Sequence, residues 1–485
     1  MVNFPVLLRV MGLLLIIEAS FLLVPLGTCL LYGETDWLAF LISFAITLVA
    51  GVTMAFAIHP SSPVMGKREG FLLTAMVWVF FSTFGMLPFI LMNDQPLSVS
   101  DAFFEAMSGF TTTGASIMTS ISHLSHGAII WRSLMQWIGG MGIILFTLAV
   151  IPMLNHSGGM QMFNAEVTGI THDKLRPRIS QTAKSLWLIY FTLTAVLFIL
   201  LYLGPMGGFD SVCYALSIMS TGGFATSDEG LGVWNSDYIE GVTTVFMFIG
   251  GVSFTLIYRA VHRDFRAVWH NDVFRFYIWT ILVCYLLFVV NIIVLHGVTS
   301  VKSITLDPLF QIISMISSTG FEIPEFASWG TFALSIVLVL MFFGACAGST
   351  SGGAKIDRLI IMLQNCRNEI ERCIHPNNIL TVRVNGKVIP HDTVAKVIAF
   401  LSLYVLIIFT GGMILTAMEI PLIDAFFSTF TCISNTGLSA GVTGYGSTFS
   451  IIPDAGKWLL AIIMLIGRLE LFTVLLLFTP AFWRK

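Results

Sequence analysis

Four turns of small polar residues interrupt an otherwise apolar chain, and each ends on glycine. They are Thr111, Thr112, Thr113 and Gly114 in DAFFEAMSGFTTTGAS; Ser220, Thr221, Gly222 and Gly223 in DSVCYALSIMSTGGFAT; Ser318, Thr319 and Gly320 in DPLFQIISMISSTGFE; and Asn435, Thr436 and Gly437 in DAFFSTFTCISNTGLSA. These residues hold no acid, base or activated nucleophile; what they offer is oxygen. Glycine reaches backbone angles that turn neighbouring carbonyls inward, and carbonyls so turned replace the water around a dehydrated cation. Any one such turn reads equally well as an ordinary loop with caps. Four in register point to one ion-coordinating filter.

The register is strict. An Asp stands thirteen positions before each closing glycine, at Asp101, Asp210, Asp307 and Asp424, with a dozen mostly apolar residues between. This defines four repeats of about 100 residues, which chance does not align. One span later WIGGMG, FIGGVS, FFGACAG and LIGRLE place Gly139, Gly250, Gly344 and Gly467 at similar depths. In repeat two either Gly222 or Gly223 meets the pattern, and the thirteen-residue offset favours Gly223.

A helix of about twelve residues reaches about 18 Å, little over half a bilayer, so it must enter and turn back. The Asp at its start suits the positive end of its dipole, and its carbonyl end attracts a cation. Irregular backbone after it is tolerated at that depth only where it lines a water-filled path.

The surrounding chain is built to hold such elements. Of its residues 56% are hydrophobic and 11% charged, which marks an integral membrane protein. Stretches of about twenty apolar residues give ten spans, at roughly 6–32, 37–58, 71–92, 129–154, 185–206, 239–258, 276–295, 327–354, 397–415 and 458–478. The fold class expected is all-α, with four pseudo-symmetric repeats of span, re-entrant pore helix and span around one central pore, plus two extra N-terminal transmembrane helices. The units are 1–69 for the N-terminal pair, 70–179, 180–270 and 271–390 for repeats one to three, and 391–485 for repeat four. Twenty of the 24 Lys and Arg fall at the termini or in alternate connections, which places both termini in the cytoplasm. The net charge of −3 gives no basis for a nucleic-acid partner, and the seven cysteines form neither a zinc pattern nor a disulfide framework.

The repeats and their four Ser/Thr/Asn-rich turns ending in Gly resemble the superfamily of K⁺ transporters that includes the TrkH, KtrB and plant HKT families. The two extra spans and the four glycines make the resemblance to the TrkH family the nearest, over essentially the whole chain. It implies K⁺ uptake across a bacterial inner membrane with no organic cofactor, a homodimer among lipid, and a cytosolic nucleotide-binding regulatory subunit of the TrkA type. Sodium-permeable members carry serine for the first-repeat glycine, so Gly114 favours K⁺. No turn reads TVGYG, so fewer ordered carbonyl rings are expected.

Two features read as a gate. FFGACAGSTSGGAK breaks span eight with Gly344, Gly348, Gly352 and Gly353, a loss of helix propensity that predicts a loop within the membrane. Arg468, in the middle of span ten, costs at least about 2.5 kcal/mol there unless it faces a cavity, and a fixed positive charge in a cation path obstructs it. Glu470, two residues on, points to another helix face and is a poor partner for it. Asn385 and Gly386 predict a type I′ hairpin next to the helical pattern of KIDRLIIMLQNCRNEIERC, a docking surface together with the basic segment 156–184. No P-loop, GxSxG, HExxH or paired carboxylates support catalysis. The competing reading is a symporter coupling K⁺ to H⁺ or Na⁺, for which Glu18 is the main buried carboxylate; Glu105, on a pore helix, is expected to brace the filter.

Overall fold

The computed structural model describes residues 3–58, 66–93, 95–140, 142, 179–297, 300–323, 326, 328–378, 380–438 and 448–484. The inner half of span 129–154, most of the basic segment 156–184 and most of the connection 59–70 lie outside them.

The two N-terminal helices, Phe4–Tyr32 and Trp37–Val52 with a wider final turn at Thr53–Ala57, form a tight pair. A side chain on Gly12 would strike the backbone of Met54 and Ala55, and one on Gly51 would meet the Gly12 carbonyl. In lipid, where no hydrophobic force separates helix from solvent, such small-residue contacts supply the attraction.

Among the described residues, six helices are long and apolar enough to cross a membrane: Phe4–Tyr32, Trp37–Ala57, Arg68–Leu91, Lys184–Tyr202, Asp272–Leu295 and His391–Ala417. Trp279, Leu282, Val283, Leu286 and Val290 are exposed along one of them, an apolar face suited to acyl chains. Besides the N-terminal pair, these are the first spans of the four repeats.

Second spans six and ten differ from the uninterrupted helices expected. Span six is two helices, Asp237–Gly251 and Phe254–Val261, bent by 107° at Val252–Ser253. Span ten stops at Arg468, turns at Leu469–Glu470 and resumes as Leu471–Leu477. Span eight, Gly330–Phe343, opens into a loop that ends where helix Ile356–Ile374 begins. Span four is described as helix His126–Gly140. Small residues allow close contact near these points: Gly139 lies against the Phe110 carbonyl, Gly467 against that of Ile433, and Gly250 against the Thr221 side chain. Spans four, six and ten thus pack on the C-terminal ends of short helices.

Those short helices are Val99–Phe110, Gly208–Met219, Val301–Ile316 and Leu422–Ser434. The Asp expected to open each is the third residue of the first, second and fourth, and the first is capped by Ser98, whose Oγ accepts from the Asp101 amide at 3.2 Å. The third helix begins six residues before Asp307 and carries Pro308 inside it. Pro308 has no N–H to give the Ile304 carbonyl, and the Tyr285 hydroxyl donates there instead at 3.0 Å.

The four basic residues outside the inward-facing connections all have partners. Arg132 pairs with Glu105 at 2.8 Å, Lys302 with Glu240 at 2.9 Å and Lys457 with Asp101 at 2.5 Å; Arg468 is taken up below. Arg383–Val384 and Lys387–Val388 pair antiparallel across Asn385 and Gly386, both left-handed, as a type I′ turn requires. Asn385 holds this hairpin to the start of helix Asp272–His296 by exchanging hydrogen bonds with Asp272 at 2.6 and 2.7 Å.

Candidate functional site

All four short helices end in the same way. Thr113, Gly222, Thr319 and Thr436 donate backbone N–H bonds five residues back, to Ser108, Ser217, Ser314 and Thr431, at 2.9 to 3.1 Å. Thr112, Thr221, Ser318 and Asn435 donate three residues back, to Gly109, Ile218, Met315 and Cys432. This is the Schellman cap, in which the helix is closed by one left-handed residue, usually glycine. Here Thr, Thr, Ser and Asn occupy that place at φ of 53°, 54°, 57° and 50°. β-Branched residues seldom adopt it, and such strain gathers where function demands a shape.

Two residues on, Gly114, Gly223, Gly320 and Gly437 are left-handed again, at φ of 82°, 81°, 80° and 75°. Gly222 is not, so Gly223 shares the register of the other three. Left-handed residues alternating with ordinary ones turn successive peptide planes so that their carbonyls share one side of the chain. The turns also close on one another. A side chain on Gly114 would strike the Gly222 carbonyl oxygen; on Gly223, that of Thr319; on Gly320, that of Thr436; on Gly437, that of Thr113. Each repeat touches the next and the fourth returns to the first, so four backbone segments surround one axis.

Aligned from these glycines, Ser317 and Ser434 stand where Thr111 and Ser220 stand. The segments 318–320 and 435–437 therefore begin one residue late. Counting back three from every glycine would have found both.

Behind the ring lies a buried frame. Glu105, fully buried, accepts from Arg132 Nε at 2.8 Å, from Ser116 Oγ and from the Ile117 amide at 3.0 Å. Arg132 reaches on to the Ala225 carbonyl and lies 4.1 Å over the Phe224 ring, which ties repeat one to repeat two. Gln311, at the position of Glu105 in repeat three, accepts from the Ile323 amide at 3.3 Å. Asn435 Nδ2 donates to Thr113 Oγ1 at 2.9 Å and to the Met464 carbonyl at 3.0 Å, joining repeat four to repeat one. Arg132 carries no local sequence signal, since its partner lies on another helix.

The loop after Phe343 packs against this ring. Gly344, Gly348 and Gly353 are left-handed, and Gly352 sits against the Ser434 carbonyl. Ser351 Oγ is 3.1 Å from Ser318 Oγ, and Thr350 Oγ1 donates to the Gly250 carbonyl at 3.2 Å. The Cys346 amide donates to Gly251, and the Phe254 amide to Gly348, so the gap left by the bend in span six is filled by the loop. Lys355 Nζ turns back onto the Ser351 carbonyl.

Arg468 closes the arrangement. It donates through Nη1 to the Thr350 carbonyl at 2.8 Å and through Nη2 to the Gly139 carbonyl at 2.9 Å, bridging loop and second span of repeat one. Glu470 does not pair with it; its carboxylate holds Arg358, just after the loop, at 2.5 Å. Glu18 is fully buried, with its carboxylate beside Gly85 behind the Phe110 ring and so outside the ring of glycines.

Among known proteins, the family model TrkH, described as a cation transport protein, matches residues 38–485. The chain is 34% identical to the Trk system potassium uptake protein TrkH of Escherichia coli K12, with 100% of both chains covered. It is 32% identical to the Trk system potassium uptake protein TrkG of the same organism, over 98% of this chain and 97% of that one. Its structure is similar to the crystal structure of the potassium transporter TrkH from Vibrio parahaemolyticus. There the TM-score is 0.89 and the identity 32%, covering 99% of this chain and 100% of that chain.

Proposed function

We propose that this chain, which belongs to the TrkH family of cation transport proteins, takes K⁺ into the cell through a selectivity filter made by four turns of one polypeptide. The closed ring of Gly114, Gly223, Gly320 and Gly437 carries the reading, because carbonyl oxygens gathered from four sides replace the hydration shell of an alkali ion. Filter residues are Thr111 to Gly114, Ser220 to Gly223, Ser317 to Gly320 and Ser434 to Gly437. The loop with Gly344, Gly348, Gly352 and Gly353, tied by Arg468, is the gate. The relatives' name, a Trk system, supports control by a further component, read here as a cytosolic nucleotide-binding subunit of the TrkA type. The working unit is a homodimer in lipid, in a bacterial inner membrane, with both termini cytoplasmic and repeats at 70–179, 180–270, 271–390 and 391–485.

Substitution at Gly114 tests the filter. A serine side chain there meets the Gly222 oxygen and opposes the left-handed backbone. In planar bilayers with K⁺ on one side and Na⁺ on the other, the wild-type current should reverse at a large potential that opposes K⁺ flow, and the Gly114→Ser current should reverse closer to zero. An unchanged reversal potential in Gly114→Ser removes the filter reading.

Symport with H⁺ or Na⁺ has one observation in its favour. Glu18 is buried, and its carboxylate oxygens have no hydrogen-bond partner among the described residues. A reversal potential that moves with pH, and stops moving in Glu18→Gln, would select that reading.

A further inference from the structure

Three of the four filter turns are braced by a pair of hydroxyls. Thr111 Oγ1 and Thr113 Oγ1 are 2.8 Å apart, Ser317 Oγ and Thr319 Oγ1 2.7 Å, and Ser434 Oγ and Thr436 Oγ1 2.9 Å. The second turn lacks the pair, because Gly222 stands where the others have threonine. Two successive glycines, Gly222 and Gly223, make it the corner with the most conformational freedom to lose.

Gln136 of the neighbouring repeat fills that place. It is fully buried, and its Nε2 donates to the Gly222 carbonyl at 2.7 Å. Its Oε1 accepts from the Ser217 hydroxyl at 2.8 Å and from the Phe224 amide at 3.2 Å. The reverse orientation would set carbonyl against carbonyl, so the hydrogen bonds admit only this one. The carboxamide therefore holds the peptide groups on both sides of Gly223. A side chain on Gly222 would begin 2.6 Å from Gln136 Oε1 and 2.7 Å from Nε2, which means the two positions share one space. At the matching place in the other second spans, three residues before Gly250, Gly344 and Gly467, stand Met247, Met341 and Met464. The one repeat with glycine in place of the second hydroxyl is the one faced by glutamine.

We propose that Gln136 is a specificity-determining positioning residue: it replaces, from the adjacent repeat, the hydroxyl brace that the second filter turn lacks, and it holds the Gly222 oxygen where K⁺ is discriminated from Na⁺. The inference rests on the reading that K⁺ passes through this ring.

The test uses the purified full-length chain in planar bilayers with K⁺ opposed to Na⁺. Gln136→Met, which copies the other repeats, leaves Gly222 and Gly223 unbraced, and the K⁺ over Na⁺ permeability ratio should fall about tenfold, the change about 1.4 kcal/mol produces. Gln136→Ala combined with Gly222→Thr restores the hydroxyl pair with Ser220 in the vacated space, and should return the ratio to within about threefold of wild type. Gly222 is not left-handed, so threonine fits its backbone. If Gln136→Met does not fold, Gln136→Asn, too short to reach the Gly222 oxygen, carries the same expectation. A wild-type ratio in the single variant, or a double variant no better than the single, overturns this inference alone. A wild-type chain without K⁺ preference overturns the filter reading and this inference with it.

Discussion

On the proposed gate, removing Arg468 should open the pore in the absence of any cytosolic partner. The guanidinium ties the loop through the Thr350 carbonyl at 2.8 Å, and its bond to the Gly139 carbonyl at 2.9 Å keeps it aimed. Withdrawal of the loop breaks the first bond and spares the second. A hydrogen bond from a charged donor contributes about 1.5–3 kcal/mol, so Arg468→Ala should raise the ratio of open to closed pores by about tenfold to a hundredfold. Arg468→Lys keeps the charge but offers a compact ammonium in place of a fork, and reaches one carbonyl at a time. Its open probability should fall between wild type and alanine. Single-channel recording of each variant in bilayers, without any cytosolic partner, gives the three values. If alanine stays within about threefold of wild type, the tie to Thr350 does not hold the loop. If lysine matches wild type while alanine opens, charge alone is the barrier and the hydrogen-bond argument is wrong.

The frame behind the filter should be costly to break. Glu105→Gln leaves Arg132 buried without its counter-charge, and should lower stability by about 3–5 kcal/mol, read as a reduced midpoint of thermal unfolding in detergent. Glu105→Leu together with Arg132→Met should lose less than Glu105→Gln alone, because no unpaired charge remains. At the outer surface, burial disfavours the charged form of Asp228, but hydrogen bonds from the Ile121 amide and the Ser122 and Ser120 hydroxyls outweigh it and hold the carboxyl below its ordinary range. A depressed folded-state pKa adds stability above the unfolded value of about 3.9 and loses it as pH falls through the folded one. Asp228→Asn should therefore melt below wild type at pH 7, and the gap should close as the pH drops below about 4. A gap that persists in acid would show that shape, not charge, matters there.

The register of the four turns was legible in the amino-acid sequence because a short helix and its cap have fixed length: in three repeats Asp and glycine thirteen residues apart mark the third residue of a helix and its second left-handed corner. In the third repeat the same Asp lies inside a longer helix, and only Tyr285, from another span, makes Pro308 tolerable there. The breaks at Val252–Ser253 and Leu469–Glu470 were not legible. Hydropathy sums composition and does not register that Gly250 and Gly467 press against a neighbouring helix end. Arg132 and Gln136 gave no such signal, because their partners, 27 and 86 residues away, meet them only once the four repeats close.

That closure within one polypeptide has an evolutionary consequence. A tetrameric pore changes all its corners with every codon, so each substitution is tried four times at once and must suit fourfold geometry. Here a codon alters a single quadrant. On the proposed filter, selection can tune one side of the ion's coordination sphere while the other three preserve it, and unequal corners such as glycine faced by glutamine become attainable one step at a time.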